Sequence, residues 1–362
     1  FSENLTAFYG TKLPKNSFKE EHCGNGKFLL IIVEDHNPQY LERPTSKGAK
    51  IVNVNLFDAK EEYRQITGGG HKIHCTNSVE EVKHDIVLLT GLSLADFHKK
   101  YSVASEEIEQ LVIDLPAIKG WKSMEELFYV LNESLNYVVL RNFEMLPQEF
   151  SSKEHGDVDL LVEDLNEIIF LTKATKIFDL EYRVHCKVRI GEEDVLFDFR
   201  YLNDNYYDPK IEHKILQTRV LNEKNIFTPA GELHFYSLLY HALIHKNKIS
   251  PDYLQSFKKL SQQVGILNYD KKYNDLGTKY LTTLLDEWMV KNSYNYTKPI
   301  DKTVVFNEEN IISRNLIAKS RSLTISKFIV FYLKPNKLNL YLLQGILPNV
   351  LRLKLRLGGL FK

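Results

Sequence analysis

The chain has 362 residues, 43% hydrophobic and 26% charged, which is room for two or three domains with substantial cores. Three scattered cysteines, Cys23, Cys75 and Cys186, exclude a disulfide scaffold and point to a reducing compartment. The formal net charge is zero, and no apolar run reaches the roughly 18–20 residues that a membrane-spanning helix needs.

The opening stretch, FSENLTAFYGTKLPKNSFKEEH, lacks a basic start followed by an apolar core, so no secretory leader is expected and a cytoplasmic location is. Residues 1–25 read as an extension. After it, KFLLIIV at 27–33 reads as a buried strand and AKIVNVNLF as a second. DAKEEYRQI reads as a helix with Asp58 as a plausible N-cap. HKIHC then reads as a short strand, SVEEVK as a helical turn and DIVLLTG as a third strong strand. Strands alternating with short helices predict a small parallel α/β domain over 26–118. Gly68-Gly69-Gly70 follows a helix and lacks the P-loop lysine pattern, so it reads as a plain loop. His71-x-x-His74-Cys75 has no third or fourth ligand nearby and is not read as a zinc site.

Residues 119–205 carry the chemistry. SMEELFYVLNES at 123–134 has helical spacing with acids in its first turn, and 136–140 reads as an apolar strand ending in Arg141 and Asn142. A loop, 143–155, leads to Gly156-Asp157-Val158-Asp159, the strand LLV and a helix over 164–178. Two strands follow, EYRVHCKVRI and, after the turn at Gly191, DVLFDFRYL, which sets Asp198 between apolar neighbours. Asp157 and Asp159 stand two apart, so on a strand both carboxylates share a face. Such crowding is costly unless cations neutralise it.

That order of elements, with D-h-D on one strand and h-D-h on a later one, resembles the nucleotidyltransferase superfamily over about 120–205. The resemblance implies an α/β fold with a mixed sheet. It also implies Asp157 and Asp159 as metal ligands, and Asp198 as third ligand or general base. The metal implied is Mg²⁺, with Mn²⁺ as the other option; hard oxygen ligands of this kind suit Mg²⁺, which completes its shell with water and substrate phosphates. The family usually carries Gly-Gly or Gly-Ser after the preceding strand, where this chain has Arg141-Asn142. A guanidinium there can fork onto a phosphate, but binding of a free nucleoside triphosphate in the usual way is put in doubt. Gly156 belongs to the same substrate-binding set.

Residues 206–300 read as a helical domain. IFTPAGELHFYSLLYHALIHK, together with DFRYLNDNYYDPK, is similar to segments of nucleotidyltransferase-like proteins from bacterial capsule and surface-glycan loci. AGELHFYSLLYHALIHK is predicted as one helix on which His241 and His245 share a face. With Tyr240, Lys246 and Arg200, which shares the face of Asp198, they are candidate phosphate or acceptor contacts. Residues 252–292 read as helical throughout. The stretch 301–362 is the basic amphipathic tail: from Ile311 onward there are ten basic residues and no acid, against 47 acids and 37 bases in the rest. Leucines and aromatics interleaved with Lys and Arg predict an anionic membrane surface as partner, and too many leucines interrupt the basic residues for nucleic acid.

Three functions stand at this stage. The first is a Mg²⁺-dependent phosphotransferase of surface-polysaccharide assembly, moving a phosphorylated group from a nucleotide-activated donor to a sugar hydroxyl of a glycan or lipid-linked acceptor. The second is a nucleotidyltransferase attaching AMP or CMP to a small molecule or protein. The third is a non-catalytic adaptor holding a glycan-synthesis complex at the inner face of the membrane.

Overall fold

The computed structural model describes residues 2–10, 21–22, 26–45, 48–103, 108–148 and 156–312. The greasy basic segment from 313 onward and residues 149–155 of the loop before Gly156 lie outside the described residues. The chain is of the α/β class, as expected.

The N-terminal part departs from the expected parallel unit. Helix α1 (Ser2–Tyr9) packs Phe8 against the central core, and Asn4 accepts a hydrogen bond from the Leu115 amide at 3.0 Å. Residues 27–33 belong to no strand, and Phe28 and Ile31 are each 71% exposed. The strands that form, β1 (Tyr40–Thr45) and β2 (Gly48–Asn53), make an antiparallel hairpin with Leu41 opposite Val52. Helix α2 (Val54–Ile66) then starts five residues earlier than Asp58 would allow, because the Asn53 side chain caps it by accepting from the Asn55 amide. HKIHC forms no strand.

Most of DIVLLTG, expected as a strand, lies instead in helix α3 (Val79–Thr90). Ser78 caps this helix through the Glu81 amide, and Glu80 and Glu81 sit in its positive first turn. A short apolar run fits a buried helix face as well as a strand, and here Ile86, Val87 and Leu88 are the buried residues. Helix α4 (Leu94–Lys100) follows, then α5 (Met124–Ser134), which Ser123 caps through the Glu126 amide. Leu127, Phe128, Val130 and Leu131 of α5 are buried, and Val87 and Leu88 of α3 join the same core.

The central sheet is mixed. Its strands are β3 (Tyr137–Val139), β4 (Val158–Val162), β5 (Thr175–Lys176), β6 (His185–Ile190) and β7 (Glu193–Tyr201), in the spatial order β3-β4-β7-β6-β5. The neighbours β4 and β7 run parallel, with Asp159 beside Asp198, while the other pairs are antiparallel. Helix α6 (Leu165–Thr172), capped by Asp164, starts the crossover that makes the parallel pairing possible. A two-residue turn at Gly191-Glu192, with Gly191 at φ 57°, closes the β6–β7 hairpin.

Period-two alternation gives this sheet two different faces. Val139, Val158, Leu160, Val162, Cys186, Val188, Val195, Phe197 and Phe199 share one core with α5 and Ile168 of α6. Val138, Leu140 and Leu161 face a second core built from the C-terminal helices. Those are α7 (Pro209–Gln217), α8 (Gly231–Ile244), α9 (Pro251–Gln263), α10 (Tyr269–Leu276) and α11 (Thr278–Lys291), with a small hairpin of β8 (Val220–Leu221) and β9 (Phe227–Thr228) between α7 and α8. Helix α8 is buried on all sides, from Leu233 to Ile244, as an apolar helix must be.

Residues 301–312, assigned from sequence to the tail, belong to the folded body. The Asn307 amide donates to the Ile244 carbonyl at 2.8 Å, Asn310 Nδ2 donates to the Leu243 carbonyl at 2.8 Å, and Ile311 is buried. Among the described residues no helix is long and apolar enough to cross a membrane.

Candidate functional site

The alternation that buries Phe197 and Phe199 on one side of β7 turns Asp198 and Arg200 to the other. The same rule on β4 sends Asp159 to that face. The parallel register sets Asp159 directly beside Asp198, and the antiparallel register sets His185 of β6 beside Asp198 on its other flank. Asp157, two residues before Asp159, completes the row. Four polar residues thus meet on three adjacent chain segments under the C-terminal helices.

Ligand atoms of Asp157, His185 and Asp198 all lie within 4.8 Å of one another, close enough to share one cation. This differs in one member from the expected Asp157, Asp159 and Asp198. Asp159 is 3% exposed, and its Oδ1 accepts a short charge-assisted hydrogen bond from Arg141 Nη2. The sequence reading missed His185. It stands in the stretch EYRVHCKVRI, in the alternating register opposite Cys186 and Val188, and that polar-face position was the available signal.

Two arginines neutralise part of this row. Arg141 is 7% exposed and its Nη1 has no hydrogen-bond partner among the described residues. Arg200 is 2% exposed, donates from Nη2 to Asp198 Oδ2 at 2.8 Å, and lies 3.7 Å from Asp204 and 3.9 Å from Asp301. The Arg200 guanidinium also sits 4.3 Å from the centre of the Tyr206 ring. Asp301 comes from the segment after α11. Its Oδ1 accepts from the Thr303 amide and hydroxyl, and its Oδ2 lies 3.9 Å from both Arg183 Nε and His185 Nδ1. Sequence reasoning missed Asp301, Arg183 and Tyr206, because their approach to the site depends on tertiary packing.

Burial governs the titration of the deeper groups. It pushes Asp159 up to about 7; Arg141 pulls back, and the carboxylates of Asp198 and Asp157 add to the rise. Glu212 of α7 is wholly buried and accepts from the Asn203 and Tyr207 amides. Desolvation, then the neighbouring Asp204, raise its carboxyl to about 9, so it is protonated at neutral pH. Asp204 itself is raised by burial to about 6, with Arg200 opposing. His241 and His245 are held well below the ordinary imidazole range by burial first and the nearby arginines next, so both rings are neutral.

The other expected residues divide. His241 and His245 do share the α8 face that looks onto the charged row: Tyr206 bonds His241 Nδ1, and its ring lies 4.1 Å from that of His245. Tyr240 turns away into the core, where its hydroxyl accepts from the Thr297 amide at 3.1 Å. Lys246 is exposed beyond the end of α8. Asn142 and Gly156, at φ 57° and 75°, turn the chain at the two ends of the β3–β4 connection, and so aim Arg141 and Asp157. A cleft of about 360 Å³ opens beside Arg141 and Asn142, walled by α8 and α9.

Comparison of the chain with models of protein families, with curated proteins and with solved structures finds no match.

Proposed function

We propose that this protein is a metal-dependent transferase of phosphorus-containing groups, acting in surface-polysaccharide assembly between a nucleotide-activated donor and a sugar hydroxyl. One observation carries the reading: Asp157, His185 and Asp198 converge from three segments within 4.8 Å, beside a buried guanidinium that borders a small-molecule cleft. Two carboxylates and an imidazole suit Mg²⁺ or Mn²⁺, and the nitrogen favours Mn²⁺ of the two. When bound, such an ion neutralises charge on the transferred group and on the leaving phosphate.

The chain's own residues do the rest. Arg141 keeps Nη2 on Asp159, and its Nη1 is sealed from solvent and unpaired among the described residues, so a phosphate reaches it once the side chain turns toward the cleft that Arg141 lines. The bond between phosphorus and the nucleotide's bridging oxygen breaks, and a bond to the sugar oxygen forms. The hydroxyl proton would pass to water, because Asp198 and His185 would be committed to the ion and the second oxygen of Asp198 is held by Arg200.

Incubation with Mg²⁺ or Mn²⁺ and a panel of CDP-, UDP- and GDP-linked donors is expected to release the nucleoside monophosphate. Asp157→Asn and Asp198→Asn should each cost about 3 kcal/mol or more of barrier, a hundredfold or more in rate. Pyrophosphate released from a free triphosphate would indicate nucleotidyl transfer instead.

One observation favours a non-catalytic reading, an adaptor at the membrane. Arg141 and Arg200 already neutralise Asp159 and Asp198, so the row is partly satisfied without any ion. Turnover and metal affinity that survive both substitutions would decide for it.

A further inference from the structure

The cleft beside Arg141 has a chemistry of its own. It lies where the β3–β4 connection leaves the sheet and meets α8 and α9, and its volume of about 360 Å³ falls in the range of small-molecule sites, about 300–1,000 Å³. Arg141 lines it, 7% exposed, and the Nη1 of this buried cation has no hydrogen-bond partner among the described residues. A buried donor left unpaired costs roughly 1–3 kcal/mol, and more when it is charged, so an anion is the natural complement. Lys259 of α9 adds a second positive charge to the lining.

The rings apart, the rest of the lining is two carboxylates, Glu144 and Asp252, the hydroxyl and amide groups of Asn142, Ser250, Ser256 and Gln263, and the apolar Leu238 and Leu260. Short polar groups of both donor and acceptor type match a compound with several hydroxyls. The rings present are already engaged. Phe143 packs on His234 at 5.0 Å, and Tyr253 on His241 at 5.7 Å and on Phe257 at 6.2 Å. Burial lowers His234 to about 4, so it brings no charge at neutral pH.

We propose that this cleft binds a phosphorylated sugar or polyol, its phosphate on Arg141 and Lys259 and its hydroxyls on the polar side chains of the β3–β4 connection and α9. As the sugar side of a transfer reaction, the assignment rests on the function proposed above; as a binding site it stands without the metal.

Isothermal titration of the full chain in EDTA tests it, with glucose 1-phosphate and ribitol 5-phosphate as probes against glucose, inorganic phosphate and CMP. At least one phosphorylated probe is expected to bind tenfold or more tighter than glucose, phosphate or CMP. Because Arg141 also holds Asp159, the variants used are Lys259→Ala, expected to weaken binding tenfold or more, and Ser256→Trp, expected to abolish it by filling the cleft. Asp157→Asn should leave this binding intact. Absence of binding by both phosphorylated probes, tighter binding of CMP, or binding indifferent to both cleft variants overturns the proposal, even if metal-dependent transfer is found. Tight, variant-sensitive binding without any transfer supports the cleft and overturns only the reaction.

Discussion

Asp157 and Asp159 are two residues apart and share a face, yet they do different work. Asp159 is sealed in and tied to Arg141; Asp157 is half-buried and belongs to the group with His185 and Asp198. Removing one partner of a buried ion pair leaves an uncompensated charge, so Arg141→Ala should lower stability by about 3–5 kcal/mol, read as a shift of the urea midpoint. The double variant Arg141→Met, Asp159→Leu should recover most of that loss, since an apolar pair of similar volume needs no ions. Asp157→Asn should change stability by about 0.5 kcal/mol or less while removing metal affinity, because no cation pairs with Asp157 among the described residues. The buried acids also set a pH profile. Asp204, Asp159 and Glu212 have folded pKa values of about 6, about 7 and about 9, above their ordinary ones. Each binds its proton more tightly in the folded chain, so the stability it contributes is complete below about pH 4 and is lost as pH rises through those values. His241 and His245 act in the opposite sense: depressed in the folded state, they withdraw stability as pH falls below their ordinary value of 6.5. Stability should therefore peak in mildly acid solution. Between about pH 7 and 9 the Glu212 proton alone should account for a slope approaching 1.4 kcal/mol per pH unit. In Glu212→Gln that limb should flatten, and urea unfolding at a series of pH values would show it.

At the scale of elements, legibility followed periodicity. On β7, DVLFDFRYL alternates cleanly, and both its strand character and the common face of Asp198 and Arg200 could be read from sequence. Helix α8 was equally readable, because a mostly apolar run of about four turns is too long for a strand. The first 118 residues were not. DIVLLTG is apolar nearly throughout, which a strand buried on both faces and a buried helix satisfy alike, and the Ser78 cap with Glu80 and Glu81 decided for helix. KFLLIIV has the composition of a core strand but no ladder in the structure, because β1 and β2 pair with each other instead. For the site, the sequence offered the carboxylates but not their partners. Arg141 was expected at a substrate phosphate, and nothing local foretold that one of its nitrogens is committed to Asp159, a residue 18 positions away. His185 was within reach of the same alternation argument that found Asp198, since the register places the two side by side. Asp301 was not, for it arrives from a segment that pattern alone assigned to the tail.

For the whole molecule, the central sheet separates two environments: a wholly apolar core against α5, and a second core in which a band of ions is held between the sheet and α8. That separation lets a charged row exist in the interior, since the apolar face supplies the folding energy and the polar face is left to the site. Charge is also divided along the chain. Residues 1–310 carry 47 acids and 37 bases, whereas 311–362 carry ten bases and no acid. With about 1 kcal/mol available per basic residue near an anionic bilayer, and leucines and aromatics between them, the composition of that segment is the ground for proposing an anionic membrane surface as its partner. The full chain should sediment with phosphatidylserine-containing vesicles and not with purely zwitterionic ones. Binding should fall steeply by about 1 M salt, where the Debye length shrinks to about 3 Å. A chain ending at residue 312 keeps every contact of Asn307, Asn310 and Ile311 with the body, so it should stay folded and remain in the supernatant. If the shortened chain sediments as well as the whole one, the attraction resides elsewhere on the surface, for which exposed Phe28, Leu29 and Ile31 are the first residues to replace.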